Sequence, residues 1–159
     1  MQKLAILSPK NNGSILHKLS IMDISTETLN FFIGGFFSGY ERIIWLNEKL
    51  HHQLLMGGDP EDEEARPDHV LNVTTPSTKD WEAFWQTVDT LKVWSWEKKY
   101  ISEICDGTQW ELRIKRKGRR RRIISGSNAY PQPKGTFNSF VKAINKLSRS
   151  KIEFEEEPC

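Results

Sequence analysis

Residues 113 to 122 read Arg-Ile-Lys-Arg-Lys-Gly-Arg-Arg-Arg-Arg, eight cations in ten positions. Cations this close repel one another unless an anion screens them. Phosphate does so well: guanidinium forks grip its oxygens in pairs, and binding releases condensed counterions. Arg113, Lys115, Arg116, Lys117, Arg119, Arg120, Arg121 and Arg122 are therefore the candidate nucleic-acid-binding residues. A β-ribbon tip fits a groove of structured RNA or duplex DNA, and nothing in the run points to base-specific reading. The plain alternative is a solvated edge strand that uses charge to block aggregation, a task for which a few lysines suffice. Four consecutive arginines exceed it.

Catalytic chemistry has little support elsewhere. The chain has no Gly-rich phosphate loop, no Ser–His–Asp order and no Cys/His set at metal spacing. His51 and His52 are adjacent, so on a strand their rings point to opposite faces, a poor metal pair. His69 follows Asp68 at the end of an acidic run that reads as a solvated loop. Cys105 has no histidine close in sequence to activate it. Asp106-Gly107-Thr108 and Gly126-Ser127-Asn128 fall at the two ends of one hairpin, where Asp and Asn are best explained as turn caps. No catalytic residue, metal or cofactor is expected.

A ribbon of cations needs a body to hold it. Residues 108 to 116 alternate, with Trp110, Leu112 and Ile114 on one face; Lys117-Gly118 offers a tight two-residue turn, and residues 119 to 127 return as the partner strand. Arg113, Lys115, Arg120 and Arg122 cannot all turn inward beside Leu112 and Ile114. Upstream, Phe31-Phe32-Ile33-Gly34-Gly35-Phe36-Phe37 suggests strand ends around a bend. Residues 42–46 and 50–56 flank Asn47-Glu48-Lys49 as a hairpin, and 69–74 reads as another strand. The first thirty residues are less regular, with a candidate strand at 4–7 and turn chemistry at 11–14. Val93-Trp94-Ser95-Trp96 reads as a short extended piece.

Two helices are predicted. One, near residues 78–91, starts after Pro76-Ser77 and carries Trp81, Phe84, Trp85, Val88 and Leu91 as a stripe. The other, near 136–147, carries Phe137, Phe140, Val141, Ile144 and Leu147. Trp81, Phe84, Val88 and Leu91 share their offsets with Phe137, Phe140, Ile144 and Leu147, which fits two related strand–strand–helix units. Any core-facing amphipathic helix shows the same offsets. The expected fold class is α+β, an antiparallel sheet with two amphipathic helices on one face. Trp81, Phe84, Trp110, Phe137 and Phe140 should share its core, and Trp94, Trp96 and Tyr130 are assigned there as well.

The whole chain has 159 residues and a net charge of +2. Setting the eight hairpin cations aside leaves 15 basic residues against 21 acidic ones, so the remainder is net acidic. Six acids lie between residues 59 and 68, and four more lie in the segment 151–159. The reading is one domain over residues 1–150 followed by an acidic C-terminal tail, 151–159. At 37% hydrophobic and 28% charged, the composition is that of a globular chain rather than a disordered or fibrous one. No apolar run is long enough for a membrane span, and the N-terminal one is too short for a signal peptide. Two cysteines, Cys105 and Cys159, make no disulfide framework and suit a reducing cytoplasm.

From about Pro76 onward the sequence carries Pro76-Ser77 with Trp81, Val93-Trp94-Ser95-Trp96, Tyr100, Asp106-Gly107-Thr108-Gln109-Trp110 and Gly126-Ser127-Asn128-Ala129-Tyr130-Pro131. Over residues 76–147 this pattern resembles a family of small bacterial proteins of unknown activity. The resemblance implies a shared fold and no particular chemistry. The arginine-rich hairpin departs from the family pattern and is where this chain's own function is expected.

Two functions compete. The first is a non-catalytic nucleic-acid-binding accessory that grips an RNA or DNA backbone within a larger assembly, such as a bacterial defence (CRISPR-type) ribonucleoprotein. The second is an inhibitor or immunity protein whose acidic segments bind a basic enzyme surface. An enzyme with an unrecognised site is the weakest of the readings.

Overall fold

The computed structural model describes residues 27–35, 37–103 and 107–156. The expected strand at 4–7, the turn at 11–14 and the side chains of Cys105, Asp106 and Cys159 lie outside them. Seven strands form one sheet in the order β4-β3-β2-β1-β6-β7-β5. In chain order these are β1 (Thr28–Gly35), β2 (Gly39–Leu46), β3 (Lys49–Leu55), β4 (His69–Thr74), β5 (Lys99–Ile101), β6 (Gln109–Lys115) and β7 (Arg122–Ser127). Helix α1 (Thr78–Thr90) follows β4, a 3-10 turn (Val93–Ser95) follows α1, and α2 (Thr136–Ser148) follows β7. The fold class is α+β. Every strand pairing is antiparallel except β5 with β7, which is parallel.

Local chemistry explains the element ends. Asn47 and Glu48 both have positive φ, 51° and 62°, so β2 and β3 are joined by the two-residue turn whose twist matches that of the strands. Lys49 belongs to β3 rather than to the turn. Ser77 caps α1 in a capping box: its hydroxyl accepts from the Asp80 N–H, and the Asp80 carboxylate accepts from the Ser77 N–H. Gly126 faces Trp110 across the ladder, and a Cβ there would fall 2.0 Å from the Trp110 Nε1. Only glycine lets that indole lie across β7 and donate to the Ala129 carbonyl at 3.0 Å.

Register divides the sheet into two faces. Leu29, Phe31 and Ile33 of β1 align with Ile114, Leu112 and Trp110 of β6, and Phe31 aligns with Ile43 of β2. These side chains join Phe84, Trp85 and Val88 of α1 and Phe137, Phe140 and Ile144 of α2 in one buried cluster. Aromatic rings fill it: Trp110 lies 4.5 Å from Phe137 between centroids, and Phe31 meets Phe140 edge-on at 5.7 Å. Trp96 belongs to the cluster, whereas Trp81, Trp94 and Tyr130 pack at its border. Residues 151–156 run along the body, with Ile152 buried, Phe154 edge-on to Phe137, and Glu156 accepting from the Gly135 N–H.

The opposite face is the more polar one, although Phe32, Ile44 and Leu55 are buried on it. Asn30 and Phe32 align there with Arg113 and Glu111, and Phe32 aligns with Arg42, which pairs with Gln53. Arg42 is fully buried. Its guanidinium donates to Gln53 Oε1 from Nε and Nη2 and to the carbonyls of Asp62 and Ala65 at 2.7 and 3.0 Å. Burial pulls its pKa down, and the Asp62 and Glu63 charges pull it back up. The acidic run therefore departs from the solvated loop expected: its side chains are exposed, but its backbone is bound to the sheet through Arg42.

Three further departures are local. The stretch from Phe31 does hold a strand end, with a turn at 37–38 leading into β2, but Gly34 and Gly35 lie within β1 rather than in the bend itself. Residues 93–95 form a 3-10 turn rather than an extended piece, with the Trp96 N–H donating to the Val93 carbonyl. The expected tight turn at Lys117-Gly118 is present, with the Arg119 N–H donating to the Arg116 carbonyl, but β7 begins only at Arg122 rather than at 119, so residues 116–121 lie outside both strands.

Candidate nucleic-acid interface

The loop of the basic hairpin opens with a turn in which the Arg119 N–H donates to the Arg116 carbonyl at 3.0 Å. Gly118 sits inside it at φ 79°, a conformation that side chains resist. The eight cations separate into two groups.

The hairpin's base is anchored on both faces of the sheet. Arg113 projects to the polar face, where it bonds Glu111 and lies 3.5 Å from Glu63. Desolvation lowers its pKa, but the two carboxylates outweigh that and leave it raised. Arg122 aligns with Ile114 on the helix side, and its guanidinium donates to the Trp94 and Trp96 carbonyls. Arg116 bonds the Asp89 carboxylate at 3.0 Å and lies over the Trp85 ring at 5.2 Å. Lys115, the last residue of β6, is half-buried.

The tip is different. Lys117, Arg119, Arg120 and Arg121 are all exposed. Arg121 has a loose contact with Glu63 at 3.6 Å, and Arg119 lies over the Trp94 ring at 5.6 Å. The Lys117 and Arg120 side chains have no polar contact among the described residues, although the Lys117 N–H donates to the Glu27 carboxylate at 3.3 Å. Four exposed cations thus stand on a loop held by three half-buried arginines, Arg113 and Arg122 on the strands and Arg116 at the loop's start. Such a loop can present charge to a phosphate chain without reorganising the sheet.

The acidic run contributes one residue to this site. Glu63 approaches both Arg113 and Arg121. Asp59, Asp62 and Asp68 instead accept from the backbone N–H groups of Glu61, Glu64 and Met56. The turn-cap reading of the hairpin base is met at Asn128, whose Oδ1 accepts from the Thr108 N–H at 2.8 Å. His51 and His52 do diverge, and His52 lies 3.0 Å from Glu41 on the helix side. Among the described residues no group of three His, Cys, Asp or Glu side chains is placed to hold a metal. No helix among them is long and apolar enough to cross a membrane.

Sequence reasoning missed Asp89 and Arg42. Asp89 lies on the solvent side of α1, and its one signal is position, as an acid in the last turn of a helix where the dipole disfavours it. It stays because Arg116 and the Trp94 indole share its two oxygens. A comparison with models of known protein families finds no match, and a search of characterised proteins finds none.

Proposed function

We propose that this protein is a non-catalytic nucleic-acid-binding accessory that holds a phosphate backbone with Lys117, Arg119, Arg120 and Arg121. The observation that carries the reading is the division within the hairpin. Arg113, Arg116 and Arg122 are committed to the fold, yet four cations remain exposed on one six-residue loop. Structural need accounts for the first group and not for the second. The site suits a member or partner of a larger ribonucleoprotein, including one of bacterial defence, because the tip grips a backbone without reading bases. In the same reading both helices back one sheet face as related strand–strand–helix units, supported by their shared stripe offsets and common cluster. The motif set over residues 76–147 supports membership of the family it resembles. Ser77, Trp110, Gly126 and Asn128 all serve the fold, which is what a fold-level likeness requires.

The test is replacement of the four tip residues by serine, followed by fluorescence anisotropy with a labelled oligonucleotide. Binding should weaken about tenfold or more while the circular dichroism spectrum is unchanged. Unchanged binding would leave the inhibitor reading, in which a basic protein is the ligand, as the better account.

A further inference from the structure

Trp94 joins the hairpin to the 3-10 turn and, like Trp85, lies under a hairpin guanidinium. Trp85 is buried and Trp94 is not, and the cation over Trp94 comes from the exposed tip. Trp96 and Trp110 are buried in the core. Trp45 and Trp81 meet edge-on at the sheet's helix side. Trp94 is half-buried and lies nearly parallel to Trp85, at 22° and 6.3 Å, while Trp85 lies nearly parallel to Trp81. Its indole N–H donates to Asp89 Oδ1 at 3.2 Å, and its carbonyl accepts from Arg122 at 2.7 Å. The ring is therefore fixed at its edge and at its backbone. What lies over it, at 5.6 Å, is the guanidinium of Arg119, a side chain from the exposed tip.

We propose that Trp94 is a stacking platform for an unpaired nucleobase, so that the hairpin's ligand is a single-stranded segment of nucleic acid. This rests on the phosphate-binding reading of the tip and names its ligand class. An exposed cation–π contact is a weak hold on a guanidinium, and a base stacks on indole more strongly. Exchange of one for the other keeps the ring covered and frees Arg119 for the phosphate of the same strand. A preformed ring beside a cluster of backbone-seeking cations is the combination that binds single strands with little sequence preference. A duplex keeps its bases in its own stack and has nothing to offer Trp94.

The test compares two labelled strands of equal length and charge, one bearing bases and one abasic throughout, on the full chain. The parent should bind the base-bearing strand about tenfold or more tightly than the abasic one. Trp94→Leu should bind both at the abasic level, and Trp94→Phe should keep most of the preference. Equal affinity of the parent for the two strands overturns the platform and leaves the phosphate reading intact. Failure of the parent to bind either strand overturns both. The parent comparison involves no substitution, so a poorly folding variant cannot blur the result.

Discussion

The two faces of the sheet solve the same problem with different materials. The helix side buries Phe31, Leu112, Phe84, Phe137 and Phe140 against one another and needs no charge in its interior. The other face buries Arg42 and Gln53 and satisfies the guanidinium with loop carbonyls rather than with a carboxylate at contact distance. An apolar face gains from area alone, whereas a buried cation is tolerable only while its donors are matched. The basic hairpin straddles both solutions: Arg113 enters the polar face and Arg122 the helix side. Its tip touches each face only at the surface, Arg121 toward Glu63 and Arg119 over Trp94, and its four cations stay exposed.

Removing Phe140 attacks the stronger face. Phe140→Ala should cost about 3–5 kcal/mol in chemical denaturation, and a loss under about 1 kcal/mol would show that this face is not tightly packed. Arg42→Met attacks the other. It leaves Gln53 Oε1 and the carbonyls of Asp62 and Ala65 without their donor, at a cost of about 2–4 kcal/mol. Limited proteolysis should then cut within residues 56–68 first, and a loop as resistant as the parent's would mean that Arg42 does not hold it.

Smaller effects separate the surface from both faces. The Ser77 N–H, and after it the Ser77 hydroxyl, hold the exposed Asp80 carboxyl below the usual carboxylate range. A depressed folded pKa contributes stability above the unfolded value, near 4, and loses it as pH falls through the lower folded one. Asp80→Asn should therefore lower Tm at neutral pH and converge with the parent in strong acid. A constant gap at all pH values would contradict the cap. The smallest effect is expected at Glu63, which is half-exposed. Glu63→Gln should change stability by less than about 1 kcal/mol and raise oligonucleotide affinity by up to about fivefold, as Arg121 loses a competing carboxylate. Weaker binding would show that Glu63 orders the tip rather than competing for it.

Legibility in the sequence follows the same division. The helix side was readable because alternation in residues 110–114 and stripes of three and four in the helices each report one apolar face. Arg42 was not, because an arginine within Arg-Ile-Ile-Trp-Leu looks like an exposed strand residue until the loop that covers it is in place. Strand β5 escaped notice too: three residues, Lys99-Tyr100-Ile101, carry no periodicity, and they pair in parallel with a strand more than twenty positions away. The eight cations were found from density alone. Their division into anchors and exposed tip was not, since besides the nearby Glu111 the anchors Arg113, Arg116 and Arg122 take partners distant in sequence: Glu63, Asp89 and the Trp94 and Trp96 carbonyls.

The central claim is that the tip cations, and not the anchored ones, hold phosphate. It is tested most directly by oligonucleotide affinity measured across a range of salt concentrations. Four cations on a single strand predict a slope of log K against log salt of roughly −3 for the parent. Replacing Lys117, Arg119, Arg120 and Arg121 by serine should bring that slope close to zero, while Arg116→Gln should leave it nearly unchanged because Arg116 is held by Asp89. A tip variant with the parent's slope and affinity would contradict the account.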